Sequence, residues 1–383
     1  MNSSIVLWVS CTLLLSFCLS AVLIWLSRTG QLPLVRQGDL GAIQAAHSLP
    51  TPRLGGVAIM MAYLIVCGFA FANEGALWAQ LGLSVAPLFL SGVAEDLGYR
   101  VSPVGRLGAA LLASSLAVLL TGAWITETGI AVLDPLFVYA PLATFVTIVA
   151  AATISHAFNL IDGLNGLSGS TAVLSSIGIA ATAVAVGDEE IAVMAVLLSA
   201  ATFGFLLLNF PSGKIFLGDA GAYTLGFLLA WLGIALTARS ADVTPIAMVL
   251  ILFWPLADLS LAIFRRRKRN LPVSHPDRLH FHHLAMRGLE ICLLGRGRRQ
   301  VANPLATFIL TPMIAVPVVL GALLHAQPMA AVFALMGSFG AFFALYGLGM
   351  RMAAGRSRSV NISGFAKHLG RRAPARVKVD ERA

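Results

Sequence analysis

The feature that most constrains this chain is a series of eleven apolar runs that recur from one end of it to the other. Runs of about 20 residues are long enough for a helix to cross the roughly 30 Å hydrocarbon core of a bilayer. Only 11% of the residues are charged, against about a quarter in a soluble domain. We therefore predict an all-α, polytopic integral membrane protein with about eleven transmembrane helices. The runs are 5–26, 54–72, 81–95, 107–125, 138–158, 169–186, 191–209, 221–238, 245–264, 302–325 and 329–350.

The basic residues predict how these helices are oriented. No Lys or Arg precedes the first run, and Arg28 follows it, which indicates a permanent helix with its N-terminus outside rather than a cleaved signal. Eleven crossings then place 25 of the 26 Lys and Arg on one side, with Arg239 alone on the other. By the positive-inside rule that side is cytoplasmic, and so is the C-terminus. We predict one membrane domain, 1–352, and a basic cytoplasmic tail, 353–383. The net charge of +9 then favours anionic membrane lipid over nucleic acid as its partner.

Polar clusters fall in the predicted cytoplasmic loops, and their acidic members lie at helix–loop junctions. The four carboxylates are Glu95, Asp96, Asp162 and Asp219. Unpaired carboxylates at a membrane boundary are costly, so something cationic should lie among them. Together with the nearby Asn159 and Asn165, they suit Mg²⁺ or Mn²⁺. The alternative is that each Asp caps a helix or faces water, and four on one face weaken that alternative.

A second cluster, "PDRLHFHH", contains Arg278, His280, His282 and His283 next to a basic run. A transition-metal site is disfavoured there because no Cys or Glu partner stands at ligand spacing and the loop is cationic. Binding of a pyrophosphate by Arg and His donors fits better. Lys214 lies in "PSGKIF", which lacks the remaining residues of a P-loop and is not interpreted as one.

The predicted cytoplasmic loops contain, in chain order, "PTPRLGG", "GVAEDLGYRVSP", "FNLIDGLNGLSG", "GDAGA" and "PDRLHFHH". These five segments resemble motifs of the polyprenyl-phosphate N-acetylhexosamine-1-phosphate transferases. The branch that transfers GlcNAc-1-phosphate is the most similar, and the resemblance runs from His47 to His283. It implies an Mg²⁺-dependent phosphoglycosyltransferase in which a UDP-sugar and undecaprenyl phosphate give undecaprenyl-diphospho-sugar and UMP. It also implies the bacterial inner membrane, an active site on the cytoplasmic face, and the first membrane step of a cell-surface polysaccharide pathway such as O-antigen, lipopolysaccharide or cell-wall synthesis.

The resemblance also implies residue roles. Asp219 would hold Mg²⁺ with help from Asp162, and Glu95 or Asp96 would orient or deprotonate the lipid phosphate. The residues implied in substrate binding are His47, Arg53, Asn159, Asn165, Lys214, Arg278, His280, His282 and His283. This chain departs from the family at Glu95, where Asp is usual, and at Asn165, where Asp is common. Asn165 is therefore expected to hydrogen-bond substrate.

Several alternatives stay open. The sugar could be an epimer or 6-deoxy analogue of GlcNAc, while "PDRLHFHH" argues against phospho-MurNAc-pentapeptide. A glycolipid transporter would place ionisable residues in mid-membrane, and only Asp258 lies inside a predicted span. Asp258 could pair with Arg265 or contact the polar site, and structural support is favoured. The oligomeric state is left open between a monomer and a homodimer.

Overall fold

The protein is a bundle of helices. A computed structural model describes residues 3–30, 51–72, 76–268, 270, 279–295 and 297–369, with side chains described as far as residue 352. No strand occurs in these described residues. The helices are α1 Ser3–Arg28, α2 Gly55–Ala70, α3 Leu77–Asp96, α4 Pro103–Thr121, α5 Asp134–Phe137, α6 Ala140–Ile161, α7 Leu167–Ala185, α8 Glu189–Asn209, α9 Gly218–Arg239, α10 Pro245–Ile251, α11 Phe253–Lys268, α12 Phe281–Leu289, α13 Arg299–Leu323 and α14 Pro328–Leu369.

The prediction of a multi-pass membrane protein is confirmed at this level. Within the described residues, nine helices are long and apolar enough to cross a membrane, and a bent pair, α10 with α11, would make a tenth span. The remaining predicted run corresponds to α2, a shorter apolar helix. Each of the eleven runs thus has a helical counterpart, while nine or ten of these elements meet the length and hydropathy of a span.

The run 245–264 was predicted as one continuous segment, and the structure divides it. Helices α10 and α11 are bent by 82° where they meet at Leu252. Pro255 explains the break, since it has no N–H to donate to the carbonyl of Ile251 and its ring would clash with that carbonyl in a continuous helix. The Ser175 hydroxyl on α7 donates to the Ile251 carbonyl instead, at 2.9 Å.

Helix α9 lies at the centre of the bundle. It packs against α2, α3, α4, α6, α7, α8 and α10. Its side chains are buried almost throughout, and the interior positions of a membrane bundle are where polar groups can be paired with protein partners. Asp219 is in the first turn of this central helix. We call the end of the bundle where α3 and α6 end and α9 begins the polar end.

Candidate active site

The polar end is built on a contact between two loops that are distant in sequence. The Gly55 and Gly56 N–H groups donate to the Phe216 and Leu217 carbonyls at 2.9 and 2.8 Å, and the Phe216 N–H donates to Pro52 at 2.9 Å. These bonds satisfy backbone groups in front of α2 and α9, which would otherwise lack partners in a membrane boundary. They also fix Arg53 next to the start of α9.

Asp96, the last residue of α3, holds the N-terminus of α9. Its two carboxylate oxygens accept the backbone N–H groups of Asp219 and Ala220, each at 2.9 Å. The first N–H groups of a helix have no partner within the helix, and a carboxylate there also matches the positive end of the helix dipole. Gly218 makes the approach possible, because its φ is +76° and a Cβ there would stand 2.5 Å from Asp96 Oδ2. Asp96 therefore sets the position of Asp219.

Two arginines converge on Asp219. Arg53 Nη2 donates to Asp219 Oδ1 at 3.2 Å, and Arg106 Nη1, from α4, donates to Asp219 Oδ2 at 2.6 Å. Arg53 Nε also lies 3.5 Å from Asp96 Oδ1. Because the Asp96 side chain is fully buried and that of Asp219 is 9% exposed, these pairs are poorly screened by water. The result is a compact group of two carboxylates and two guanidinium groups at the boundary of the bundle.

Asp162 ends α6 beside this group. Burial raises the pKa of its carboxyl to about 7, since the charged form loses hydration. The positive charge of Arg53 and the Ser168 hydroxyl lower that pKa, and the negative charge of Asp219 raises it. Asp219 therefore acts electrostatically on Asp162 at the same end of the bundle. Further back on α6, Asn159 donates to the Tyr223 hydroxyl at 3.0 Å.

Asn165 is embedded in the backbone framework behind Asp162. Its N–H donates to Asn303 of α13 at 2.8 Å, its side-chain amide donates to the Pro211 carbonyl at 3.0 Å, and its carbonyl accepts from Thr307 at 2.8 Å. With only 5% of the residue exposed, Asn165 ties the α6–α7 loop to α13 and to the α8–α9 loop. An ionised Asp could not donate to Pro211, which gives a structural reason for the carboxamide here.

The histidine cluster is organised by Asp258. This fully buried carboxylate accepts from His280 Nδ1 at 2.7 Å and from the Phe281 N–H at 2.9 Å. The bond to Nδ1 orients the His280 ring and leaves its Nε2 for another partner. Arg265 binds the Leu279 carbonyl and, at 2.9 Å, the Tyr346 hydroxyl, which secures the same segment to α14. Asp258 therefore contacts the predicted histidine cluster through His280, which was the alternative to the pairing with Arg265.

His282 and His283 lie against the loop that carries Asp162. A Cβ at Gly163 would stand 2.7 Å from His282 Nε2 and 2.9 Å from His283 Cε1, so only glycine fits there. Burial lowers the pKa of His282 well below its usual value, and the neighbouring His283 lowers it further, so this imidazole is neutral at neutral pH. Gly163 thus joins the histidine cluster to the carboxylate and arginine group.

The structure does not bring every predicted site residue to these groups. Glu95 accepts the backbone N–H of Val101 at 2.8 Å, within the loop that follows α3. Its charge also acts on Arg106 and Tyr223, so it lies near the Asp219 group without joining it. Lys214 is exposed in the α8–α9 loop. His47 and Arg278 lie outside the described residues.

Sequence reasoning missed Arg106, His156 and Tyr223. Tyr223 stands four residues after Asp219, and His156 three residues before Asn159, so each shares a helix face with a residue that was selected. Their ring centroids are 4.9 Å apart, edge to face. Helical spacing around the selected residues was the signal that could have found these two. Arg106 had no comparable signal beyond its place at the start of α4.

The residues fit Mg²⁺ in the way that this ion is commonly held. Among the described residues no group of three or more His, Cys, Asp or Glu side chains could hold a metal ion, so any Mg²⁺ here needs substrate and water as further ligands. Mg²⁺ usually binds through one or two carboxylates, substrate phosphates and water, and Asp219 with Asp162 supplies two carboxylates. Chemically, this end of the bundle can hold a cation and neutralise a phosphate-rich substrate with Arg53 and Arg106.

Comparison with known proteins agrees with this chemistry. The family model for glycosyl transferase family 4 matches residues 78–237. The chain is 30% identical over 254 residues to a Bacillus subtilis (strain 168) protein named "probable undecaprenyl-phosphate N-acetylglucosaminyl 1-phosphate transferase", covering 65% of this chain and 69% of that one. It is 27% identical over 308 residues, 72% of each chain, to the decaprenyl-phosphate N-acetylglucosaminephosphotransferase of Mycobacterium tuberculosis (strain ATCC 25618 / H37Rv). The undecaprenyl-phosphate alpha-N-acetylglucosaminyl 1-phosphate transferase of Yersinia pestis is 27% identical over 247 residues, 63% of this chain and 67% of that one.

Proposed function

This chain belongs to glycosyl transferase family 4, and on that premise we propose that it transfers GlcNAc-1-phosphate from UDP-GlcNAc to undecaprenyl phosphate. The products are undecaprenyl-diphospho-GlcNAc and UMP. The proposal rests on the position of Asp219. Asp96 holds it at the N-terminus of the central helix, and Arg53 and Arg106 both donate to its carboxylate. This arrangement suits two anionic substrates that meet where apolar helices end.

The reaction is a phosphoryl transfer. An oxygen of the lipid phosphate forms a bond to the phosphorus that carries the sugar, and the bond from that phosphorus to the bridging oxygen breaks, so UMP leaves with that oxygen. Asp219 and Asp162 would hold Mg²⁺ or Mn²⁺, which neutralises charge on the phosphate oxygens. Arg53 and Arg106 would offset the remaining charge, and His280 and His283 would bind the diphosphate. His282, neutral and buried, supports this surface.

We place the polar end on the cytoplasmic face of the bacterial inner membrane, because a soluble UDP-sugar has to reach it. The N-terminus is then outside, and the chain crosses the membrane eleven times, with α10 and α11 as one broken span and α2 as a short one. The lipid product would enter a cell-surface polysaccharide pathway.

The topology predicts the location of reporters. A reporter fused after Ala383 should be cytoplasmic, and one inserted in the 187–190 loop should be external, since the basic residues are retained on the inner side. Protease accessibility or alkaline phosphatase activity in intact cells measures both positions. An external C-terminus would contradict eleven crossings.

The identity of the sugar donor can be tested directly. Membranes that contain the protein are incubated with undecaprenyl phosphate, Mg²⁺ and a panel of UDP-sugars, and the lipid product is identified by mass. UDP-GlcNAc should give the largest rate of UMP release. A preference for an epimer, a 6-deoxy sugar or phospho-MurNAc-pentapeptide would replace the donor in the proposal. No lipid-linked sugar from any donor would overturn the proposal.

Metal removal provides a separate prediction. Chelation by EDTA should stop turnover, because Asp219 and Asp162 alone add negative charge to a site that must bind two anions. Adding Mg²⁺ in excess should restore the initial rate, and Mn²⁺ should restore part of it. Unchanged turnover after exhaustive chelation would remove the metal from the proposal.

A further inference from the structure

Two buried side-chain nitrogens near Asp219 have hydrogen-bonding capacity to spare. Arg106 Nε and His156 Nε2 are both buried, and neither has a hydrogen-bond partner among the described residues. The His156 ring hydrogen-bonds the Arg106 backbone and meets the Tyr223 ring, and Arg106 Nη1 donates to Asp219, so these residues are neighbours. They come from three helices, α4, α6 and α9. Buried nitrogens without a partner are costly, and a bound ligand is the simplest source of a partner for Arg106 Nε.

Tyr223 is the most deeply buried side chain beside His156 and Asn159. It lies one turn after Asp219 on α9, and 3% of the residue is exposed, whereas His156 and Asn159 are partly exposed. Asn159 donates to the Tyr223 hydroxyl at 3.0 Å, so the hydroxyl hydrogen is directed to another acceptor. The His156 ring meets the Tyr223 ring edge to face, with centroids 4.9 Å apart, and restricts the tyrosine to this position.

The groups in this cluster that can still form a hydrogen bond are donors. Arg106 Nε can only donate, the Tyr223 hydroxyl already accepts from Asn159, and the His156 ring hydrogen-bonds the backbone of Arg106. A ligand that satisfies Arg106 Nε and the Tyr223 hydroxyl must offer acceptors. Beside the Arg106 guanidinium, an anionic phosphoryl group meets that requirement better than a neutral sugar hydroxyl.

We propose that Arg106 and Tyr223 bind a phosphoryl group of the substrate, with the Tyr223 hydroxyl as a neutral donor to one of its oxygens and His156 holding the Tyr223 ring in place. The inference rests on the proposed function and deepens it, because it adds Tyr223 and His156 to Arg106, which already contacts Asp219. The phosphoryl group belongs either to the donor diphosphate or to the lipid acceptor. Both have the same chemistry, and steady-state kinetics separates them.

Tyr223→Phe is the direct test, since it removes the hydroxyl and keeps the ring against His156. We expect kcat/KM to fall by about tenfold to a hundredfold, the range for one hydrogen bond to a charged group. If the donor diphosphate is bound, the loss appears in kcat/KM for UDP-GlcNAc, and the inhibition constant of UDP rises. If the lipid phosphate is bound, the loss appears in kcat/KM for undecaprenyl phosphate, and the inhibition constant of UDP is unchanged.

Tyr63→Phe is the matched control. Tyr63 is also a buried tyrosine, but it lies in α2 outside the groups described here, so the same loss of a hydroxyl should leave both kinetic constants unchanged. His156→Phe keeps an aromatic edge against Tyr223 but removes the bond to the Arg106 backbone, so it should lower the same kcat/KM as Tyr223→Phe by a smaller factor. Melting temperatures in detergent separate these effects from a general loss of folding.

Wild-type activity and the variant ratios answer different questions. A wild type that transfers no sugar from any donor overturns the proposed function and this inference with it. An active wild type with Tyr223→Phe within about twofold of it for both substrates overturns the inference alone, and leaves the proposed function intact. If Tyr223→Phe lowers kcat/KM equally for both substrates and also lowers the melting temperature, Tyr223 has a structural role. That result would also overturn the inference.

Discussion

Asp219→Asn is expected to abolish turnover, by about a thousandfold or more, while the protein still inserts into the membrane. The amide keeps the size of the side chain but loses the charge that faces Arg53 and Arg106. It also replaces a carboxylate ligand, which Mg²⁺ requires, by a weaker carbonyl ligand. Electrostatic stabilisation of the developing charge is usually the largest contribution to such a reaction. The measurement is UMP release from UDP-GlcNAc at saturating undecaprenyl phosphate.

The control for this variant is Asp134→Asn. Asp134 also begins a helix, α5, but at the other end of the bundle, where it accepts the Thr128 N–H and hydroxyl at 2.6 Å. An asparagine oxygen can still accept there, so activity should stay at the wild-type level. Substantial turnover by Asp219→Asn at saturating Mg²⁺ would remove Asp219 from the metal site.

The sequence predicts the helices of this fold well because hydrophobic length is a local property. Every apolar run became helical, since a backbone in lipid has to satisfy its own hydrogen bonds. The bend between α10 and α11 was missed because hydropathy records composition and not the i to i−4 bonds. Pro255 was visible in the sequence, but the free-energy cost of breaking the helix there depends on whether the Ile251 carbonyl finds another hydrogen-bond donor. That donor, Ser175, comes from a distant helix.

The site could be predicted only in part, for a similar reason. Acidic residues at helix ends are visible in the sequence, and those at Asp96, Asp162 and Asp219 do lie at one end of the bundle. Partners are not visible, because Arg106 reaches Asp219 and His280 reaches Asp258 only through tertiary packing. The sequence therefore indicated which residue types matter, and it could not separate a residue that meets substrate from one that positions another.

Glu95 and Asp96 illustrate that distinction. Both were predicted as catalytic carboxylates from the same motif. In the structure Asp96 is buried and binds two N–H groups of α9, whereas Glu95 is partly exposed and binds the Val101 N–H in its own loop. We expect Glu95→Gln to keep part of the activity, because a carboxamide oxygen can still accept from Val101 while the charge that acts on Arg106 and Tyr223 is lost. Glu95→Asp should lower it moderately, because the shorter side chain no longer reaches that N–H.

Asp96→Asn should instead reduce turnover by about a hundredfold or more. An asparagine has one acceptor oxygen for two N–H groups, so its amide would face one of them, and the unsatisfied pair costs about 1–3 kcal/mol. The N-terminus of α9 is then expected to shift, and a displacement of about an ångström at Asp219 is enough for such a loss. Because Asp96 acts through Asp219, the Mg²⁺ concentration for half-maximal rate should rise in Asp96→Asn and stay constant in Glu95→Gln. The reverse pattern, with Glu95→Gln inactive and Asp96→Asn active, would assign the chemistry to Glu95 and leave Asp96 as a dispensable cap.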